Sequence, residues 1–187
     1  MRRVLLAHIA NKNPADLVFN ESDHGKPCLD GADFEFNTSH TQDIGVIVTG
    51  DVPLGVDIEA LDRPMDYLQF ARRTFTEEEF LDISKEHDAD LRLAFFNCWT
   101  GKESYVKAIG LGLYKDLRSF SVRCAPGTEP GMRWNGDGDV DSWWFERIST
   151  DDHVATIVAQ SPGGKADVCI QTLSTESLRA GTPVLVE

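Results

Sequence analysis

Cysteine is scarce and scattered in this chain. Four occur in 187 residues, Cys28, Cys98, Cys124 and Cys169, none at CxxC spacing. That argues against a thiolate zinc site and a disulfide framework, and fits a reduced, cytoplasmic protein. Long apolar runs are missing too, so no membrane span is expected. The opening "MRRVLLAHIANK" has a basic start, but its apolar run ends at His8 and Asn11 and makes a poor signal peptide. Positive charge is the third shortage: 18 Lys and Arg stand against 31 Asp and Glu, for a net charge of −13. General binding to nucleic acid or an anionic membrane needs a basic footprint that this chain lacks. There is no GxSxG for an esterase nucleophile, "SPGGK" lacks P-loop spacing, and no internal repeat is evident.

What remains is an ordinary globular composition, 41% hydrophobic and 26% charged. Its pattern reads as follows. "MRRVLLAHIA" is an amphipathic helix, and "NESDHGKPCLDGADFEF" is turn-rich. "DIGVIVTGDVPLGVDIE" holds two β-rich runs around Gly50-Asp51 and predicts a hairpin. "DYLQFARRTFTEEEFLDI" is helical with a break near Thr74 to Thr76. Thr76 with Glu79 three residues on is a capping-box signature for a new helix. Asp90 to Ile109 is a long helix stopped by Gly110 and Gly112. "SFSVRC", "SWWFERIS", "HVATIVAQ" and "DVCIQTL" read as strands, with "APGTEPGMRWNGDGDVD" as a loop. The class is α+β with mainly hairpin-linked strands, not a βαβ wind.

Several chemical motifs fail on inspection. Asp137, Asp139 and Asp141 imitate an EF-hand opening, but Ser142 and Ile148 stand where the loop needs Gly and Glu. Cys98 reads better as a buried core cysteine than as a nucleophile. His8, His24, His87 and His153 lack partners at zinc spacing and read as structural or exposed. Asp57 and Glu59 in "GVDIE" are two apart on a strand, so they share a face with Cα atoms roughly 6.6 Å apart. Such a pair can converge on a hard cation, Mg²⁺ or Mn²⁺. Alone, it is equally well two ordinary acids on a solvent-facing edge. In "FNCWTGKESYVKAIG", Glu103 and Lys107 are four apart and share a helix face. On the helix alone they read as a surface ion pair.

The order of the pieces carries more information than any one of them. "GKP" (Gly25, Lys26, Pro27), "FNTSH" (Ser39, His40), "GVDIE" (Asp57, Glu59) and "WTGKESYVK" (Lys102, Glu103, Lys107) follow one another along the chain. This series resembles the surfactin-type 4′-phosphopantetheinyl transferases. The resemblance implies a pseudo-dimer of two related α+β halves, with 1–60 as a shortened N-terminal half, 61–187 as the C-terminal half and the active site in the cleft between. Members carry several dozen residues before the helix that here opens at Met1. Either the natural start lies upstream or this is a short form.

The resemblance also implies an activity: transfer of the 4′-phosphopantetheine arm of coenzyme A to a serine of an acyl or peptidyl carrier protein, releasing 3′,5′-ADP. Asp57, Glu59 and Glu103 match the metal ligands, and Lys107 matches the lysine at the cofactor phosphates. Ser39 and His40 match residues at the phosphates, and Gly25, Lys26 and Pro27 match the segment beside the adenine. Arg2 and Arg3 fall where basic residues near the 3′-phosphate are common, so Arg3 joins the cofactor-binding set. A monomer is implied.

The residue types suit that chemistry. Phosphoryl transfer needs positioning and charge neutralisation. Three carboxylates repel a diphosphate unless a divalent ion lies between them. Lys102 and Lys107 add positive charge, and Glu103 is the candidate general base for the serine hydroxyl. Arg72 and Arg73 are candidates for carrier docking or a CoA phosphate, or equally a solvated helix face. Two other readings stay open: a Mg²⁺-dependent phosphohydrolase using the same acids, and a non-catalytic relative that binds CoA or carrier protein.

Overall fold

The computed structural model describes residues 2–42, 44–136, 138–161 and 169–171. The elements run α1 (Arg2–Ile9), β1 (Phe19–Glu21), β2 (Pro27–Leu29), β3 (Glu35–Thr41), β4 (Ile44–Gly50), β5 (Leu54–Ala60), α2 (Tyr67–Thr74) and α3 (Glu77–Ser84). They continue with α4 (Asp88–Ile109), β6 (Phe120–Val122), β7 (Met132–Asn135), β8 (Trp143–Ser149), β9 (His153–Gln160) and β10 (Cys169–Gln171). This is the α+β class expected. Among the described residues all the strand pairs are antiparallel, in two three-stranded sheets ordered β10-β4-β3 and β5-β9-β8 and two small hairpins, β1-β2 and β6-β7.

The helix boundaries follow the local chemistry. Asp66 caps α2 by accepting from the Gln69 amide at 2.9 Å. Thr76 and Glu79 form the reciprocal capping box of α3. Gly110 ends α4 in a left-handed conformation (φ 71°), its N–H donating to Val106 O. No helix among the described residues is long and apolar enough to cross a membrane.

Two sequence expectations need correction. The runs flanking Gly50-Asp51 do not pair with each other: β4 pairs with β3, while β5 pairs with β9. Pro53 at the entry to β5 brings no N–H to a ladder. The two β5 amides turned toward β3 are satisfied by side chains instead. Val56 N donates to Asn37 Oδ1 at 3.0 Å, and Ile58 N donates to Ser39 Oγ at 3.3 Å. The second correction is β7, which lies inside the segment read as a loop. Met132, only 4% exposed, anchors it beside β6. Most of "SPGGK", Asp137 and the flanks of "DVCIQTL" lie outside the described residues.

Strands cross residue 60 in both directions, because β5 joins β9 and β10 joins β4. The core has a large cluster around α4 that includes Phe75, Phe95, Phe96, Phe120 and Val158. A smaller one (Leu5, Leu6, Leu29, Phe36, Ile47) sits under α1. A third, of Val48, Leu54, Val56 and Ile157, joins strands of the two sheets. It lies beside the seam where β5 and α4 meet.

Candidate active site

Gly55 sets how closely α4 approaches β5. A Cβ there would lie 2.1 Å from Ser104 O and 2.5 Å from Ala108 N. Only glycine allows the helix backbone to rest directly on the strand. The contact puts the last turns of α4, bearing Glu103 and Lys107, beside Asp57 and Glu59. Ser104 Oγ donates to Thr156 O at 2.6 Å, and the Thr100 and Thr156 hydroxyls meet at 2.7 Å, fixing the helix along the sheet.

Asp57 is the centre of the resulting cluster. Its side chain is 9% exposed. Oδ1 accepts from Lys107 Nζ at 2.7 Å and from Ser39 Oγ at 2.9 Å. Lys107 Nζ also donates to Val56 O at 3.0 Å and Ser39 Oγ at 3.2 Å. Asp57 Oδ2 is buried and has no hydrogen-bond partner. Glu59 Oε1 accepts from Trp99 Nε1 at 3.0 Å, and Arg63 stands 3.8 Å from Oε2. Burial, then the negative charge of Asp57, raise the pKa of both Glu59 and Glu103 above the ordinary carboxylate value. The three acids therefore feel one another. Even so, among the described residues no three His, Cys, Asp or Glu side chains are already gathered tightly enough to ligate one ion. Lys107 on Asp57, and Trp99 and Arg63 on Glu59, hold the groups in other arrangements. The donor set, three carboxylates of which Asp57 keeps one buried oxygen without a partner, is of the kind a hard divalent cation takes.

Two adjoining cavities, about 270 and 560 Å³, meet at Val106, Lys107 and Gly112. One is walled by Gly25, Lys26, Pro27, Asn37 and Thr38, the other by Arg73, Glu103, Lys115 and Arg118. The "GKP" and "WTGKESYVK" segments therefore face the same cleft. Lys26 also bolts it together, donating to Leu54 O at 3.2 Å and Ala108 O at 3.1 Å and pairing with Glu35 at 3.2 Å. A larger cavity, about 770 Å³, lies between β8 and the 123–132 segment and shares no residue with this cleft.

Other expected residues lie elsewhere. Lys102 is a correction: it is fully buried, paired with Glu79 at 2.9 Å and donating to Leu117 O and Phe120 O at 2.6 and 2.7 Å. It faces away from Lys107 because residues five apart on a helix do not share a face. A lysine with no exposed surface cannot meet a cofactor phosphate. Arg3 ties α1 to the following turn, donating to Pro14 O at 2.9 Å and Leu17 O at 2.6 Å. His40 is exposed, on the opposite side of β3 from Ser39 and on the same side as Thr38. Arg73 lines the cleft, whereas Arg72 lies 5.1 Å from the Phe80 ring. Cys98 is buried, and burial raises its thiol well above the usual range, which keeps it from acting as a thiolate.

The sequence reading gave no site role to Asn37, Gly55, Trp99, Lys115 or Arg118. Trp99 could have been found, since it is four residues before Glu103 on the same helix face. Asn37 and Ser39 alternate on β3, but nothing local says that their side chains meet the amides of β5.

The same stretch of chain is the one that known proteins share. The family model for the 4′-phosphopantetheinyl transferase superfamily matches residues 53–158. The 4′-phosphopantetheinyl transferase gsp of Aneurinibacillus migulanus is 34% identical over 120 residues, 64% of this chain and 49% of that protein. The 4′-phosphopantetheinyl transferase ffp of Bacillus subtilis is 38% identical over 112 residues, 59% of this chain and 49% of the relative. A holo-(acyl-carrier-protein) synthase of Bacillus anthracis, solved with CoA (3′,5′-ADP), is a looser likeness: 23% identity and a TM-score of 0.46 over 59% of this chain and 96% of that one. The chain spans about half the length of the curated relatives it matches. The match begins at Pro53 and ends at Val158, so it takes in β5 and α4, which bear the acidic cluster, and most of β9. Over more than half its length, this chain belongs to the 4′-phosphopantetheinyl transferase superfamily.

Proposed function

We propose that this chain transfers the 4′-phosphopantetheine arm of coenzyme A to a serine hydroxyl of an acyl or peptidyl carrier protein, releasing 3′,5′-ADP. The observation that carries the reading is the meeting of Asp57, Glu59, Glu103 and Lys107 at the seam of β5 and α4, with the "GKP" segment on the opposite wall. We place the site between the halves 1–60 and 61–187, in a cytoplasmic monomer without nucleic-acid or membrane partners.

In this reading Asp57, Glu59 and Glu103 would hold Mg²⁺ or Mn²⁺. The bound ion would neutralise the diphosphate and stabilise the departing oxygen. The protein's residues supply the rest. Lys107, Lys26, Arg73 and Arg118 offer positive charge along the cleft walls. Ser39 fixes the Asp57 carboxylate through its Oδ1. Trp99 fixes Glu59. Glu103 takes the proton from the carrier serine. His40 and Arg3 remain candidates for the outer CoA phosphates.

The experiment is intact-mass spectrometry of an apo carrier protein incubated with this protein, CoA and Mg²⁺, with EDTA as control. The expected result is a metal-dependent gain of one phosphopantetheine, about 340 Da, on a serine. CoA breakdown without carrier modification would favour a phosphohydrolase. CoA binding with no transfer to acyl or peptidyl carriers would favour a non-catalytic relative.

A further inference from the structure

We infer that Lys107 is a resident counter-cation: it neutralises Asp57 until a diphosphate draws it away, which makes metal binding depend on the cofactor. The inference rests on the proposed metal centre and adds an order of events to it. The geometry is specific. Lys107 Nζ is held by an ion pair with Asp57 Oδ1 at 2.7 Å, the Val56 carbonyl at 3.0 Å and the Ser39 hydroxyl at 3.2 Å. Those acceptors saturate the three N–H bonds of the ammonium. Ser39 completes the clasp: its hydroxyl donates to Asp57 and accepts from Lys107, and also takes the Ile58 amide at 3.3 Å.

The same arrangement has two faces. Oδ1 of Asp57 is spent on Lys107, whereas Oδ2 is buried without a partner. A buried acceptor left open is costly, so the carboxylate is poised for a second cation on that side. A divalent ion there would share one carboxylate with the lysine, and like charges at such distances repel strongly in a partly buried site. Lys107 is 28% exposed and lines both lobes of the cleft, so it has somewhere to go. An incoming diphosphate offers its ammonium new anionic partners. Metal and diphosphate should then bind with positive cooperativity, each raising the affinity for the other by the same factor.

The test is Mn²⁺ titration followed by loss of the free-ion EPR signal, with no carrier protein present. Wild type, Lys107→Met and Lys107→Gln are each measured without and with CoA, after subtracting Mn²⁺ bound by CoA alone. Wild type should bind Mn²⁺ at least tenfold more tightly with CoA. Both variants should bind it at least tenfold more tightly than wild type when CoA is absent, and their gain from CoA should shrink. Metal should also raise the variants' Tm more than it raises that of wild type. Variants that bind Mn²⁺ no more tightly than wild type without CoA, while wild type binds it with CoA, overturn the inference and leave the metal centre standing. Should a variant fail to fold, wild type still decides: metal binding unaffected by CoA sinks the idea. Absence of Mn²⁺ binding by any form, even with CoA, removes the metal centre itself and this inference with it.

Discussion

Gly55→Ala puts the seam of the site to its most direct test. The new Cβ would sit 2.1 Å from Ser104 O, 2.5 Å from Ala108 N and 3.0 Å from Lys107 Cβ. Two of these neighbours are backbone atoms of a 22-residue helix, so no side-chain rotation relieves the clash. The helix must retreat from β5 by roughly 1 Å, at a cost near the upper end of core overpacking, about 3 kcal/mol. For a chain of this size that is about 6–12 °C in Tm. The same displacement separates Glu103 and Lys107 from Asp57, and a misplacement of about 1 Å costs on the order of 10²-fold in rate. Gly101→Ala, on the same helix, supplies the control. Its Cβ would meet only Val122 at 3.5 Å, an ordinary contact. Alanine should therefore stabilise α4 there by up to about 1 kcal/mol through helix propensity. Calorimetry and carrier-modification rates on the two variants read both effects. A Gly55→Ala protein that melts within about 2 °C of wild type and transfers at the wild-type rate would refute the close-packing argument.

Three further outcomes follow from the same contacts. Lys102→Met should cost about 3–5 kcal/mol in urea unfolding, because it strands the buried Glu79 carboxylate; a fully stable Lys102→Met that loses only CoA affinity would return Lys102 to the cleft. Glu103 has a raised pKa in the fold, so its ionisation opposes folding as pH climbs through that range, and the penalty disappears below its unfolded value. Metal-free Glu103→Gln should accordingly melt higher than wild type at pH 8, with the gap closing toward pH 4, while transfer is lost; a lower Tm at pH 8 contradicts the assignment. Trp99→Phe removes the 3.0 Å bond to Glu59 and should weaken Mn²⁺ binding in the presence of CoA by about 10-fold or more, measured by EPR, with the fold intact by circular dichroism.

Much of this was legible in the sequence where the signal is local. The capping box at Thr76 and Glu79 and the glycine stop of α4 are chemistry within one turn, and both stand in the structure. The pairing of Asp57 with Glu59 on one strand needs only a period of two. Non-local partners were not legible. The apparent hairpin at Gly50-Asp51 fails because β5 finds β9, about a hundred residues away in sequence. Lys102 and Lys107 look equivalent in "WTGKESYVK", yet only helical phase against two different neighbours separates a core ion pair from a site cation. The motif shows that lysines are present; the packing decides what each one touches.

The packing also shows how a chain of net charge −13 can still gather basic residues along one cleft. Its basic residues are not spread evenly. Lys107, Lys26, Arg73 and Arg118 line one cleft, whose acids include Glu103 and Asp116. Beyond a Debye length of about 8 Å at physiological ionic strength, the acidic remainder of the surface is screened and contributes little. A ligand within the cleft therefore meets the local charge. The acidic cluster then has a distinct role. By itself it would repel a diphosphate, but with Lys107 seated on Asp57 the metal-free site is partly neutral, and with a divalent ion it becomes attractive. On the proposed exchange, one cleft would stay folded without metal and turn cationic when cofactor and ion arrive together. A permanently basic pocket would bind phosphates indiscriminately. A carboxylate cluster with a movable counter-charge instead favours a ligand able to recruit both the metal and the lysine, which a diphosphate can do and a lone monoanion cannot.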